Sequence, residues 1–257
     1  MPEPRNRVFS PVVPALAVFI CGILLATMAL AVPLVQAPYS TLLRLYVHNG
    51  SVDYAGFKED AKRLDSYLSL LAHVDPDDLS ARDQKAFYIN VYNAWTIKLV
   101  LLRYPKISSI KDAGSLFQSP WKIAMVKLGG KTVTLEYIEN DILRPKFKDA
   151  RVHFALNCAS KSCPPLRPEP YDGNRLNEQL EDQVRTFISN PAFNRIEGQT
   201  LLLSKIFDWY AQDFGGTAGT LEFLRRYAGP ELRKGLDTLG PSPKISYLDY
   251  DWSLNGK

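Results

Sequence analysis

The run His153-Phe154-Ala155-Leu156-Asn157-Cys158-Ala159-Ser160-Lys161-Ser162-Cys163-Pro164-Pro165 concentrates the reactive side chains of this chain. It holds one of the three histidines and two of the three cysteines. Imidazole and thiolate are the groups best suited to act as base, nucleophile or metal ligand near neutral pH. Read as a strand, the segment puts His153, Ala155 and Asn157 on one face, and a turn at its end would carry the Cys158 sulfur back toward the ring. A thiol within hydrogen-bond reach of an imidazole is acidified and becomes a nucleophile. Asn157 or the loop N–H groups would offer an oxyanion hole, and Asp208 or Asp213 would orient the imidazole. That constellation fits acyl transfer or amide hydrolysis.

The same residues support other readings. Cys158 and Cys163 are an even pair, and outside the cytosol such a pair reads first as a disulfide, here one that shapes the loop bearing Asn157 and Ser160. His153, Cys158 and Cys163 match no usual zinc spacing, and no metal or cofactor is assigned. As a redox pair they lack the C-x-x-C spacing. His48 and His73 fall near helix ends and read as surface or capping residues, Trp209 and Trp252 read as core aromatics, and Tyr250-Asp251-Trp252 reads as a seal on the core.

The elements that must position these groups follow from punctuation and periodicity. A short helix from Leu42 stops at Asn49-Gly50, and another runs from about Gly56 to His73. Ser80-x-x-Asp83 resembles a capping box and opens a long helix to Arg103. That helix is apolar around most of its circumference, so it is expected at the centre of the fold. Asn90 and Asn93 lie inside it, where buried amides need partners, as clasps or as part of a binding site. Gly129-Gly130 marks a hairpin, Leu135 to Leu143 a helix stopped by Pro145, and Val152 to Leu156 a central strand. A proline-stiffened loop to Gly173 follows, then a helix from Asn174 to Ser189, a hairpin at Gly198, a helix from Lys205 to Phe214, two more helices and a last strand at Lys244 to Leu248. The order lacks a regular βαβ rhythm, which points to an α+β fold: one domain, with helices packed on a small antiparallel sheet.

Residues 1–37 carry Arg5 and Arg7 ahead of an apolar run from Val12 to Ala31, the pattern of a signal peptide or an N-terminal membrane anchor. Either would place the domain at 38–257 outside the cytoplasm, in the periplasm or on the inner membrane. The net charge of +4 is spread without a basic block, which argues against a nucleic-acid partner. A small molecule or an envelope peptide is the expected partner, with the membrane met through the N-terminal segment.

Several stretches together carry a resemblance: Val52-Asp53-Tyr54, Phe87 to Ala94, the Gly129-Gly130 hairpin, Leu135 to Pro145, Arg151 to Pro165, Ile206 to Tyr210, Asp213-Phe214 and Tyr247 to Asn255. On these residues the chain resembles the domain-of-unknown-function family 547 over nearly everything after the hydrophobic segment. The resemblance implies the domain limits and points to the same residues, without implying a reaction. Two functions stay open. One is a thiol-dependent acyl-transfer or hydrolytic enzyme built on His153, Cys158, Cys163, Asn157 and Asp208, with Asn90, Asn93, Asp213 and Ser160 in binding roles. The other is a non-catalytic, disulfide-stabilised envelope binding module.

Overall fold

Helix α4 (Ala81–Leu101) buries nearly every side chain from Ala86 to Leu101, and the rest of the chain is arranged around it. Ser80 starts it by accepting a hydrogen bond from the Asp83 N–H at 3.3 Å and donating to the Asp83 carboxylate at 2.6 Å, which satisfies an N–H that a helix start leaves open. The computed structural model describes residues 32–115 and 117–256. The expected signal or anchor segment lies almost wholly outside the described residues. Among those that are described, no helix is long and apolar enough to cross a membrane.

Before α4, helix α1 (Val32–Tyr46) leads into a tight hairpin of β1 (Val47–His48) and β2 (Ser51–Val52). Asn49 and Gly50 turn it with φ of 52° and 80°, the two positive values that a hairpin turn of this kind requires. Helices α2 (Tyr54–Glu59) and α3 (Ala61–Ala72) follow, and α3 packs on α1. After α4 come the antiparallel pair β3 (Val126–Leu128) and β4 (Lys131–Val133). A π-helix at Tyr137–Leu143 then runs straight into α5 (Arg144–Phe147). The expected stop at Pro145 does not occur. Proline sits in the first turn of α5, where its missing N–H and fixed φ are tolerated.

The second half holds α6 (Val152–Ala155), α7 (Leu176–Ile188), β5 (Arg195–Glu197), β6 (Thr200–Leu203), α8 (Ile206–Trp209), α9 (Gly216–Tyr227), α10 (Pro230–Leu239) and β7 (Lys244–Tyr247). Strands β5 and β6 pair antiparallel, and β7 joins β6 in parallel. The mixed architecture of helices and short sheets agrees with the expected α+β class.

The core has two parts. One surrounds α4. The other is an aromatic cluster of Phe154, Phe187, Phe207 and Phe214 with its neighbours on α7, α9 and the three-stranded sheet. Phe154 belongs to the second part, and Ala155 and Leu156 belong to the first. One turn of chain therefore ties the two cores together, and His153 stands on that turn.

Candidate active site

The expected strand at 152–156 is a helical turn, α6. The reason is local. Lys148 takes a left-handed φ of 46° and reverses the chain. The Asp149 carboxylate then accepts the Arg151 N–H at 3.1 Å and grips the Arg151 guanidinium at 2.9 Å. These bonds favour a capped turn over an extended ladder.

The loop after α6 is locked by amides. Asn93 donates to the Ala155 carbonyl at 2.9 Å and accepts from the Asn157 N–H at 2.8 Å. Asn157 donates to the Pro164 carbonyl at 2.8 Å and accepts the Ala159 N–H at 3.0 Å, which helps hold Ala159 at φ 62°. Asn90 clasps both backbone groups of Tyr171. Asn90 and Asn93 are therefore clasps. Asn157, expected to stabilise an oxyanion, has its amide committed to the loop and supports the site from behind.

A strap at 250–256 closes the loop from outside. Lys161 donates its N–H to the Ser253 carbonyl at 2.9 Å, Asn255 donates to the Ala159 carbonyl at 3.1 Å, and Val52 donates to the Asn255 carbonyl at 3.1 Å. Gly256 runs so close to Val52 that a Cβ there would lie 1.7 Å from the Val52 carbonyl oxygen. The strap places the Tyr250 hydroxyl 3.2 Å from the Cys158 sulfur and 3.3 Å from the Ser160 hydroxyl. Ser160 Oγ is itself 3.2 Å from that sulfur. Tyr250-Asp251-Trp252 thus packs over the site, where a core seal was expected.

The disulfide expected between Cys158 and Cys163 is not formed, and both are free cysteines. The Cys163 sulfur is turned to accept the Cys158 N–H at 2.7 Å, while the Cys158 sulfur faces Ser160 and Tyr250. The two thiols differ in acidity. Burial pushes Cys158 up, but hydrogen bonds from Cys163, from the hydroxyls of Ser160 and Tyr250 and from the Ser160 N–H outweigh it and hold this thiol below its ordinary range. Burial, and then the hydrogen bond and charge of Cys158, push Cys163 well above that range. Cys158 is the more acidic thiol of the pair, and Cys163 the less acidic.

His153 is buried, 4% exposed. Its Nε2 lies 2.7 Å from the Asp213 carboxylate, which fixes the proton on that nitrogen. Nδ1 is buried with no hydrogen-bond partner among the described residues. The ring stacks on Tyr210, with centroids 3.8 Å apart. Asp213 is clamped by Arg144 at 2.6 and 3.0 Å, and that hydrogen bond first, then the one to His153, keeps its carboxyl below the usual range. Asp208, the other expected partner, pairs instead with Lys205 at 3.0 Å on the exposed side of α8. The expected direct contact between His153 and Cys158 is not made: each has other partners, and both line one cavity of about 270 Å³.

Burial brings the His153 imidazole down to about 4, with the charge of Arg144 adding to the effect against Asp213. The sign of the resulting pH dependence follows. An unfolded histidine titrates near 6.5, so between about 6.5 and 4 the unfolded chain binds a proton that the folded one refuses, and stability falls as pH falls through that window. The loss attributable to this group reaches about 3 kcal/mol at pH 4. Urea unfolding at pH 7 and pH 4 is expected to show that loss in the parent chain and a loss smaller by about that amount in His153→Gln.

Glu139 also lines the cavity and was not singled out in the sequence. It is 8% exposed. Tyr210 donates to it at 2.5 Å. Burial raises its carboxyl above the ordinary range, against hydrogen bonds from Tyr210 and Tyr92. A readable signal was present: Leu135, Ile138, Glu139, Ile142 and Leu143 form one helical stripe, and the carboxyl falls in the middle of it. Glu139 stands on the π-helical stretch, a distortion that is frequent at functional sites.

Residues 76–188 match the model of the family described as "Protein of unknown function, DUF547". No curated protein and no solved structure matches the chain. The matched stretch holds α4 with its clasp amides, Glu139, His153 and both cysteines, while Asp213 and Tyr250 complete the site from beyond it. Over residues 76–188 this chain is therefore similar to the DUF547 family that its motifs resemble.

Proposed function

We propose that this domain is a thiol-dependent acyl-transfer or hydrolytic enzyme with Cys158 as its nucleophile. One observation supports the reading above the others: the Cys158 sulfur lies at the wall of a cavity with hydroxyls at 3.2 Å on two sides. Donors of this kind stabilise a thiolate without an adjacent base. His153, carrying its proton on Nε2 toward Asp213, stays neutral in the wall of the cavity. Glu139, held toward its protonated form, offers a proton.

The Cys158 thiolate attacks the carbonyl carbon of an ester or amide, and the C–S bond forms. The leaving group departs with the proton of Glu139, leaving a thioester and a carboxylate. Water then gives a proton to the Glu139 carboxylate, restoring its acid, as its oxygen attacks the thioester carbonyl. The C–S bond breaks, the acid leaves, and the thiolate is restored. The hydrophobic segment at 1–37 would deliver this chemistry outside the cytoplasm, where envelope peptides are candidate substrates.

An activated ester tests the assignment. p-Nitrophenyl acetate is expected to give a burst of nitrophenolate and an acetyl group on Cys158 by peptide mass spectrometry. Glu139→Gln should keep the fold, since an amide still accepts from Tyr210, and should slow acylation by unactivated amides about 100-fold while changing the activated ester little, because nitrophenolate leaves without help. Acetylation confined to lysines, with no burst, would defeat the proposal.

A further inference from the structure

The cavity carries a charge imbalance that the proposed chemistry does not use. Its ionisable lining residues include Glu136, Glu139, His153 and Cys158, with no lysine or arginine among the described residues that line it. Glu136 pairs only loosely with Lys122, at 3.6 Å between exposed side chains, a contact that contributes little. His153 lines the same cavity, and its Nδ1 is buried without a hydrogen-bond partner among the described residues.

The outer part of the cavity is aromatic. Trp252 packs against Trp121 at 5.7 Å, Trp209 at 5.6 Å and Tyr250 at 4.5 Å between centroids. Trp209 is 47% exposed and, with Tyr250 and Trp252 packed on it, belongs to a contiguous aromatic patch of the kind that marks a binding surface. This cluster already holds one ammonium: Lys111 Nζ lies 4.1 Å from the centroid of Trp252. The negative face of an indole attracts a cation, and here the attraction is expressed within the protein itself.

We propose that the tryptophan-lined mouth of the cavity is a subsite for an alkylammonium group carried by the substrate, held between the indole faces and the carboxyl side of the pocket. That the cation belongs to a substrate rests on the reading of Cys158 as nucleophile; that the cation binds does not. An ammonium there offsets the Glu136 carboxylate, which Lys122 reaches only loosely at 3.6 Å, and its alkyl stem covers indole surface. A neutral alcohol of the same shape gains only the second of these, and a carboxylate of the same shape is repelled.

The test uses n-butylammonium, n-butanol and butyrate on the full chain, as wild type and as Cys158→Ser, with tryptophan fluorescence and ligand-observed NMR as readouts. Butylammonium is expected to bind about tenfold more tightly than butanol, in keeping with a cation–π contribution of about 1–2 kcal/mol. Butyrate is expected not to bind. Trp209→Leu and, separately, Trp121→Leu should each weaken the ammonium about fivefold or more and alter butanol little. Equal affinity for butanol and butylammonium, or an ammonium affinity untouched by both tryptophan variants, overturns the subsite. Binding of the ammonium to Cys158→Ser together with no acyl-enzyme in the wild type would leave the subsite standing and remove the nucleophile.

Discussion

Iodoacetamide at pH 7 is expected to alkylate Cys158 and to leave Cys163 untouched in the folded protein. Each unit of pKa separation changes the thiolate fraction about tenfold, and the two groups are pushed in opposite directions from one ordinary value. Cys163 is also 5% exposed. The sign with pH is fixed: thiolate accumulates as pH rises through the pKa, so Cys158 reaches its plateau rate at a lower pH than a free cysteine does. Tyr250→Phe and Ser160→Ala each remove one donor at 3.2 Å, and each should move that profile toward higher pH. Peptide mass spectrometry after timed quenching reads all of these outcomes. Equal labelling of both sulfurs, or labelling only in denaturant, would remove the physical basis for a nucleophile at this position.

Asn93→Ala is expected to lower stability by about 3–5 kcal/mol, among the larger losses available to one residue of this chain. The amide satisfies the Ala155 carbonyl and the Asn157 N–H, both in buried backbone. Alanine leaves both orphaned, at about 1–3 kcal/mol each, and adds a small void beside α6. For a domain of this size that corresponds to a fall in Tm of about 10 °C or more. The same substitution frees the loop that aims Cys158, so its alkylation rate should drop toward that of an ordinary thiol. Asn93→Asp tests the separate contributions, because a carboxylate still accepts from Asn157 but has no N–H for Ala155. Calorimetry on the three proteins checks the order: parent, then Asp, then Ala.

The parts of the site that could be read from sequence are those set by composition and punctuation. Ser80 and Asp83 marked the start of α4, and its all-round apolarity placed it at the centre. The clustering of His153, Cys158 and Cys163 identified the wall of the cavity. What escaped was decided by distant contacts or by short-range bonds that periodicity does not record. Val152 to Leu156 is too short an apolar run to separate strand from helix, and the bonds from Asp149 settled it. Asp208 and Asp213 are equally plausible partners for His153 along the chain. Arg144, 69 residues from Asp213, selects the second. The Tyr250 hydroxyl reaches Cys158 across 92 positions, and no local pattern encodes that meeting.

The strap gives the site a particular dependence on the order of folding. The bonds that bring Tyr250 to the sulfur join segments separated by about 90 to 200 residues: Asn255 meets Tyr54 across 201 positions and Asn157 across 98. Such closures are entropically late events in folding. Until they form, Cys158 lacks the Tyr250 hydroxyl and keeps only the donors of its own loop, so a partly folded chain exposes a less acidified sulfur than the finished one. Chemical reactivity is thereby withheld from immature protein, and the appearance of a fast-reacting thiol marks the moment at which the last segment docks.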